Sequence, residues 1–333
     1  MRTAVLSTKS YDRQFLAPAA QAAGHALTFL EPRLSPETAV LAREFPAICS
    51  FVNDHLTAEI VELLARGGTK FVALRCAGFN QVDLEATARL GIRVARVPAY
   101  SPHAVAEHAI GMMLALNRKF HKAFNRVREG NFALDGLLGF DMHGKTAGVV
   151  GTGKIGAIVA QLLACFGCEV LLYDVVQSAE CAAVGRYVTL PELWSRCDIV
   201  TLHCPLTPAT QHLVDGRSIA AMKPGVMLIN TSRGALVDTQ AGIDGLKSEQ
   251  IGYLGLDVYE EEADLFFENL SERVIQDDVF TRLLTFPNVL ITSHQAFFTQ
   301  TALSQIARVT MENLTAFEAG GEMANEVRGA AKK

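Results

Sequence analysis

The chain has 333 residues, of which half are hydrophobic and a fifth are charged, and its formal net charge is −5. This length suits two domains of ordinary size, and the mildly acidic balance offers no basic surface for nucleic acid. The apolar run near the N-terminus is too short for a secretory signal or a membrane span, so we expect a cytoplasmic protein with no membrane partner.

The first 98 residues alternate short apolar runs with helical stretches. The runs are TAVLS, ALTFL, AICSFV, KFVALRCA and IRVARVP. Alternation of this kind predicts parallel strands that are joined by right-handed helical crossovers. This part of the chain therefore predicts an α/β domain.

The pattern changes after Pro98. A single long helix is predicted over residues 101–130, with Ser101 as its N-cap and Pro102 in its first turn. Apolar side chains cover much of its circumference, which indicates a buried helix.

A second alternating series follows, with the apolar runs TAGVVG, EVLLYD, DIVTLHC, VMLINTS, YLGLDVY and NVLITSH. These runs are more uniformly apolar, as is typical of a sheet that is covered on both faces. The last stretch, residues 299–318, is helical and no strand follows it. We predict two α/β domains with boundaries near residues 99 and 297, and the pattern alone does not decide which domain the last helix joins.

The seven cysteines do not have the character of a disulfide framework. Most lie in apolar segments, as Cys49, Cys165 and Cys204 do, where buried free thiols are common. We expect neither a disulfide framework nor a structural metal.

A glycine motif opens the second series. Gly151, Gly153 and Gly156 have GxGxxG spacing between an apolar strand and an amphipathic helix. In this setting the first glycine permits a tight turn, the second lets a pyrophosphate approach the backbone, and the third lets helix and strand pack closely. The helix start, with Lys154 and Ile155, adds unpaired N–H groups for phosphate. We predict a dinucleotide site, and the alternative is a glycine-rich turn without a ligand.

Asp174 ends the strand that follows the glycine motif, 18 residues after the third glycine. A carboxylate there can accept hydrogen bonds from both hydroxyls of the adenosine ribose and repels a 2′-phosphate. Because no arginine follows immediately, NAD is favoured over NADP.

Three further strands of the second series leave polar side chains at their carboxyl ends, where open parallel sheets bind ligands. The strand VMLIN is followed by Arg233, the strand YLGL by Asp257 and Glu262, and the strand VLITS by His294. We predict that a cation, a carboxylate and an imidazole converge there.

This set suits the reduction of a 2-keto acid. Arg233 can hold the substrate carboxylate with a planar fork, and His294 can protonate the carbonyl oxygen, with Glu262 beside it to favour the imidazolium. Each residue alone has a simpler explanation: a structural histidine, an arginine that anchors a helix start, or a solvated glutamate. His203 also stands at a strand end, but a turn proline follows it and no glutamate is near it in sequence.

Several long motifs resemble one family. They are LRCAGFNQVDL, VPAYSPHAVAEHA, GKTAGVVGTGKIG, LHCPLTPAT, NTSRGALVD, GLDVYEEE, DLFFENLSERVIQDDVF and NVLITSHQAFFT. Together they resemble the NAD-dependent D-2-hydroxyacid dehydrogenases, and among these the bacterial fermentative D-lactate dehydrogenases, over essentially the whole chain.

The resemblance implies an architecture of two Rossmann-like, doubly wound parallel-sheet domains. In it an NAD-binding domain, residues 99–296, is inserted into a flavodoxin-like substrate domain, residues 1–98 and 297–333. It implies Arg233, Glu262 and His294 as the catalytic set. The implied NAD contacts, beyond the glycine motif and Asp174, are Cys204, Pro205, Thr210, Thr231, Ser232, Arg233 and Asp257. The implied substrate contacts are Cys76, Ala77, Gly78, Tyr100, Arg233, His294 and Phe298.

The family also implies the reversible reduction of pyruvate to D-lactate with NADH, in a homodimer or homotetramer. Two alternatives stay open. One is a sister enzyme for a longer 2-keto acid or for hydroxypyruvate, and the other is an NAD-sensing protein like the corepressors that share the fold. One departure is Cys76, where asparagine or serine is expected in many relatives.

Overall fold

The computed structural model describes residues 1–328, and residues 329–333 at the end of the predicted substrate domain lie outside it. The chain divides into two compact units. Unit 1 comprises Met1–Ser101 together with the described part of Phe298–Lys333, and unit 2 comprises Pro102–Phe297. The chain thus leaves unit 1, builds unit 2 and returns to unit 1.

Unit 1 is built around a five-stranded parallel sheet in the order β2-β1-β3-β4-β5, the flavodoxin-like order. Strands β3 and β4 are buried along their whole length, as their apolar runs predict. The strands are β1 Arg2–Val5, β2 Ala26–Phe29, β3 Ala47–Ser50, β4 Phe71–Leu74 and β5 Arg93–Ala95. The helices between them are α1 Ser10–Ala23, α2 Ala58–Arg66 and α3 Leu84–Arg89.

Unit 2 contains a seven-stranded parallel sheet in the order β12-β11-β10-β9-β6-β7-β8. Read from β8, the six strands β6 to β11 have the Rossmann order 3-2-1-4-5-6, and β12 extends the sheet at the other edge. The strands are β6 Thr146–Val150, β7 Glu169–Tyr173, β8 Arg186–Tyr187, β9 Ile199–Leu202, β10 Val226–Asn230, β11 Ile251–Leu256 and β12 Val289–Ile291. Its helices are α4 Pro102–Arg118, α5 Phe120–Arg128, α6 Lys154–Cys165, α7 Ala179–Ala182, α8 Leu190–Arg196, α9 Gly216–Ala221, α10 Thr239–Lys247 and α11 Asp278–Leu284.

The last helix, α12 Gln300–Glu318, belongs to unit 1. Its residues Ala307, Met311 and Leu314 share an apolar cluster with Val5 and Phe71 of the unit 1 sheet. The predicted fold class, two doubly wound parallel α/β domains, is confirmed. The functional roles predicted for the two segments remain predictions.

The prediction of one helix over residues 101–130 was wrong. Helix α4 ends at Arg118, Lys119 has a left-handed φ of 53°, and α5 then begins at Phe120. The amide of Asn117 exchanges two hydrogen bonds of 2.7 Å with the backbone of Phe140, which fixes a returning segment against the end of α4. Helix α4 contributes nine buried residues and α5 none, so only the first half is a core helix.

Strand β12 also differs from the prediction. The run NVLITSH was expected to be a buried strand that ends on His294, but β12 stops at Ile291 and its residues are only half-buried at the sheet edge. His294 lies in the loop beyond it. Within residues 1–328, no helix has the length and apolar character required of a membrane span.

Candidate active site

The glycine motif forms the turn between β6 and α6. A Cβ on Gly151, whose φ is +94°, would lie 2.5 Å from the backbone nitrogen of Cys204, and one on Gly156 would lie 1.8 Å from the carbonyl oxygen of Gly151. Both positions therefore require glycine. Gly153 has no atom within 4 Å of a built Cβ and is the N-cap of α6, so the backbone there is open to a ligand at the helix N-terminus.

The glycine turn lies at the switch point of the sheet. Strands β7 and β9 flank β6, and the chain leaves β6 for β7 on one side while β9 pairs on the other. Ligands of open α/β sheets bind at such a crevice. The backbone at Gly153 is open, so a dinucleotide pyrophosphate can approach it. Gly151 and Gly156 are instead packed closely against the protein, as the turn requires.

Asp174 follows β7 directly. Its Oδ2 accepts hydrogen bonds from the backbone N–H of Thr152 at 2.6 Å and from its hydroxyl at 3.2 Å, and its Oδ1 accepts from Val176 at 3.1 Å. The carboxylate is thus fixed against the glycine turn. This is the position that a ribose-binding carboxylate needs.

The other residues predicted to contact NAD lie on the loops after β9 and β10. Ser232 donates a 2.7 Å hydrogen bond to the carbonyl of Cys204, which joins these two loops, and Thr210 donates one of 2.6 Å to the carbonyl of Pro205. Thr231 is 7% exposed, and its buried hydroxyl has no hydrogen-bond partner within the described chain. A buried hydroxyl without a partner is costly, so it fits a site for a polar cofactor.

Arg233 follows β10 and is half-buried. Its backbone carbonyl accepts a 2.8 Å hydrogen bond from the amide of Asn230, and its guanidinium donates one of 2.6 Å to the carbonyl of Ser232. A Cβ on the next residue, Gly234, would lie 2.1 Å from the backbone of Tyr259. The arginine loop is therefore packed directly on the segment that leads from β11 to Glu262.

The structure brings His294 and Glu262 together. His294 Nδ1 lies 2.7 Å from Glu262 Oε1, and the two side chains are 16% and 17% exposed. Glu262 Oε2 accepts a 3.1 Å hydrogen bond from the backbone of Tyr259. Because a carboxylate can only accept, Nδ1–H donates a hydrogen bond to Glu262, and Nε2 is the ring nitrogen left to exchange a proton.

Asp257 fixes the loop that carries His294. Its buried carboxylate accepts hydrogen bonds from the hydroxyl of Thr292 at 2.6 Å and from the backbone N–H groups of Gln295 and Ala296 at 2.8 and 3.0 Å. Its carbonyl accepts a 2.7 Å bond from the N–H of His294, whose φ is +53°. The imidazole is thus set in a left-handed turn that sequence reasoning did not anticipate.

Two effects oppose each other on the pKa of Asp257. Burial raises it, but hydrogen bonds from His108 and Thr292 and the nearby charge of His294 lower it, and the net shift is downward. His108, on α4, lies 3.4 Å from Asp257 Oδ1 and 3.1 Å from the Thr292 hydroxyl. His108 was not predicted as a site residue, because only the fold brings α4 beside β11 and β12.

His203 is not a competing acid. It follows β9, and its Nε2 lies 2.8 Å from the hydroxyl of Thr201. Burial lowers the pKa of His203 to about 3, so the ring stays neutral at neutral pH.

The predicted substrate residues Cys76, Ala77, Gly78, Tyr100 and Phe298 belong to unit 1. Cys76 follows β4 closely and its thiol donates a 3.3 Å hydrogen bond to the carbonyl of Gly78, while the carbonyl of Ala77 accepts one of 2.8 Å from Arg96. Phe298 is half exposed and meets the ring of Tyr11 edge-on at 4.9 Å. Their roles toward substrate remain predictions.

Within unit 2, neighbouring parallel strands β10, β11 and β12 lead to Arg233, Glu262 and His294 respectively. These groups therefore share the carboxyl edge that also carries the glycine turn. A guanidinium that can bind a carboxylate and an acid–base imidazole with a carboxylate partner are suited to the reduction of a carbonyl.

Comparison with known proteins places this arrangement in context. The NAD-binding domain model of the D-isomer specific 2-hydroxyacid dehydrogenases matches residues 110–296. The chain is 52% identical over 328 residues to a D-lactate dehydrogenase of Escherichia coli K12, covering 98% of this chain and 100% of that protein.

Two solved structures are informative. One comes from a study that identified the pyruvate reductase of Chlamydomonas reinhardtii; it has a TM-score of 0.93 and 46% identity, over 98% of both chains. The other is a D-lactate dehydrogenase of Aquifex aeolicus complexed with NAD and lactic acid, with a TM-score of 0.87 and 33% identity, over 99% of this chain and 100% of that chain.

Proposed function

The chain belongs to the D-isomer specific 2-hydroxyacid dehydrogenase family, and on that premise we propose that it is a D-lactate dehydrogenase that interconverts pyruvate and D-lactate with NAD as its cofactor. The single observation that carries the proposal is the 2.7 Å pair of His294 and Glu262, at the same sheet edge as Arg233 and the glycine turn. A protein that only binds a ligand has no need of an imidazole hydrogen-bonded to a carboxylate there.

The side chains divide the work as follows. Arg233 binds the pyruvate carboxylate through its fork of N–H donors and orients the carbonyl carbon. His294 donates the Nε2 proton to the carbonyl oxygen during reduction and takes it back during oxidation. Glu262 accepts a hydrogen bond from Nδ1, which fixes the orientation of the ring and leaves Nε2 to exchange the proton.

The cofactor is held by the glycine turn at Gly151 and Gly153, by Asp174 and by the loops around Cys204 and Thr231. When bound, it supplies the hydride that adds to the carbonyl carbon. The hydroxyl of Thr231, which has no hydrogen-bond partner among residues 1–328, and the open backbone at Gly153 support this placement.

The unit 1 segment around Cys76–Gly78, with Tyr100 and Phe298, is proposed to contact the substrate. Aromatic side chains at two of these positions suit the small methyl group of pyruvate. The alternative substrates are a longer 2-keto acid or hydroxypyruvate. A corepressor-like NAD sensor is less well supported, because it does not account for the His294–Glu262 pair.

We also propose a cytoplasmic homo-oligomer. Helix α5 and the segment after it expose a row of large apolar side chains, here called the apolar segment 120–138: Phe120, Phe124, Phe132, Leu134 and Leu138, which are 57–85% exposed. Large apolar side chains exposed so close together in the chain are typical of a protein–protein contact, and a second copy of the chain is the simplest partner.

The proposed activity is tested by following NADH oxidation with a panel of 2-keto acids and by determining the chirality of the product. We expect pyruvate to have the highest kcat/KM and D-lactate to be the only enantiomer formed. Each added methylene should change kcat/KM by a factor of roughly 10 to 200. If a longer 2-keto acid or hydroxypyruvate has a higher kcat/KM than pyruvate, that acid is the substrate in place of pyruvate. If NADH is not oxidised with any 2-keto acid of the panel, the proposed function is wrong.

A further inference from the structure

Tyr187 stands at the end of a hydrogen-bonded chain that reaches the cofactor carboxylate. Its hydroxyl lies 2.8 Å from the hydroxyl of Thr152, which lies 3.2 Å from Asp174 Oδ2. The Tyr187 oxygen also accepts a 2.9 Å hydrogen bond from the backbone N–H of Ser178. Three strands thereby contribute one side chain each: Thr152 follows β6, Asp174 follows β7 and Tyr187 ends β8.

The direction of each hydrogen bond in this chain is fixed by chemistry. An ionised carboxylate only accepts, so the Thr152 hydroxyl donates its one proton to Asp174. The Thr152 oxygen must then accept from Tyr187, whose own proton is free for this because Ser178 donates to it from the other side. The chain therefore runs from Ser178 through Tyr187 and Thr152 to Asp174, with each bond polarising the next.

This chain limits what Asp174 can bind. A carboxylate has about four lone-pair sites. Three are already used by the N–H of Thr152, the hydroxyl of Thr152 and the N–H of Val176. These bonds hold the carboxylate in place and leave one acceptor site on Oδ1, so it can accept from one ribose hydroxyl and not from both, as the sequence predicted. Its negative charge still repels a 2′-phosphate.

We propose that Tyr187 is a positioning residue that sets the preference for NADH over NADPH through Thr152 and Asp174. This inference rests on the proposed function only in taking NAD as the cofactor. Without the Tyr187 hydroxyl, Ser178 loses its acceptor and Thr152 loses its donor, so both the loop after β7 and the carboxylate can move. The affinities for NADH and NADPH should then become more similar, because a mobile carboxylate can turn away from a 2′-phosphate.

The test is a titration of NADH and NADPH fluorescence without substrate, in native protein and in Tyr187→Phe. We expect the Kd for NADH to rise about tenfold and that for NADPH to change less than about twofold, as for the loss of one hydrogen bond that supports a charged group. Thr152→Val should change the ratio of the two Kd values in the same direction. This variant replaces Tyr187→Phe in the test if Tyr187→Phe does not fold. Tyr253→Phe, which removes a hydroxyl from β11 beside Phe140, is the matched control and should leave both Kd values unchanged.

The Asp174→Ala background separates positioning from a general structural role. There, Tyr187→Phe should no longer alter the NADH to NADPH ratio, since the two residues act as one unit. An equal weakening of both cofactors by Tyr187→Phe, or the same change of ratio in the Asp174→Ala background, would overturn the inference. Failure to oxidise NADH with any 2-keto acid would overturn the proposed function instead, and the titrations would still decide the role of Tyr187.

Discussion

The guanidinium of Arg233 is the group of unit 2 that is proposed to bind the substrate carboxylate. Arg233→Ala should lower kcat/KM for pyruvate by about a hundredfold or more, the scale of two hydrogen bonds to a charged group. Both KM and kcat should change, since the same bonds act in the ground state and in the transition state. Steady-state kinetics with pyruvate at saturating NADH measure this.

Arg217→Ala is the matched control for this substitution, because Arg217 is exposed at the start of α9 in the same unit. It should retain native kinetics. If Arg233→Ala alters only the free energy of unfolding and leaves the kinetic constants as they are, Arg233 anchors the loop and does not bind substrate.

Residue types at strand ends allowed Arg233, Glu262 and His294 to be named from the sequence, because parallel strands must end at one edge. The pairing of Glu262 with His294 was predicted and is seen at 2.7 Å. The left-handed turn at His294 could not be predicted from the sequence, because a positive φ is uncommon in a residue other than glycine. Here it is supported by the hydrogen bonds that Asp257 accepts from the loop.

At the scale of elements, the loop between β12 and α12 depends on Asp257. Asp257→Asn replaces one acceptor oxygen by an N–H₂ group that faces backbone N–H donors, so the turn at His294 should lose its fixed geometry. We expect kcat for pyruvate reduction to fall about a hundredfold, with the thermal midpoint lowered as well. A kcat within threefold of the native value would show that the loop holds His294 without the carboxylate.

His203, which follows β9, should make the free energy of unfolding depend on pH. The unfolded chain binds the proton of His203 near pH 6.5 and the folded chain only near pH 3, so acidification through that interval favours unfolding. In the native protein, this effect lowers the free energy of unfolding by up to about 1.4 kcal/mol for each pH unit between pH 6 and 4. In His203→Gln this part of the pH dependence should be absent. Urea unfolding at a series of pH values measures the two slopes, and parallel slopes would show that His203 titrates normally when folded.

Elements that rest on strong periodicity were well predicted, and those that rest on tertiary contacts were not. Six strands of unit 2 follow from their apolar runs, but the two-residue strand β8 carries no such signal and forms only by pairing with β7. The break at Lys119 was missed for the same reason, since it depends on Phe140, far along the chain, binding Asn117.

At the scale of the whole molecule, the apolar segment 120–138 leads to a prediction of assembly. Light scattering should give a mass of two or four times 36.0 kDa for the native protein. Leu134→Glu combined with Phe124→Glu should lower that mass toward one chain, because burying two carboxylates at an interface without partners is unfavourable. Val175→Glu, at an equally exposed apolar position after β7, is the control and should leave the mass unchanged. A native protein that is already a single chain would contradict the proposed oligomer.

The imidazole of His294 is proposed to move the proton while other groups of the same unit hold the cofactor. The decisive measurement is kcat for NADH-dependent pyruvate reduction in His294→Asn. Asparagine tolerates the left-handed φ of this position, so the loop should be retained. We predict that kcat falls about a thousandfold, within the range usual for the loss of a general acid, while the Kd for NADH stays within about twofold of the native value. A variant that keeps more than a tenth of the native kcat would contradict the account.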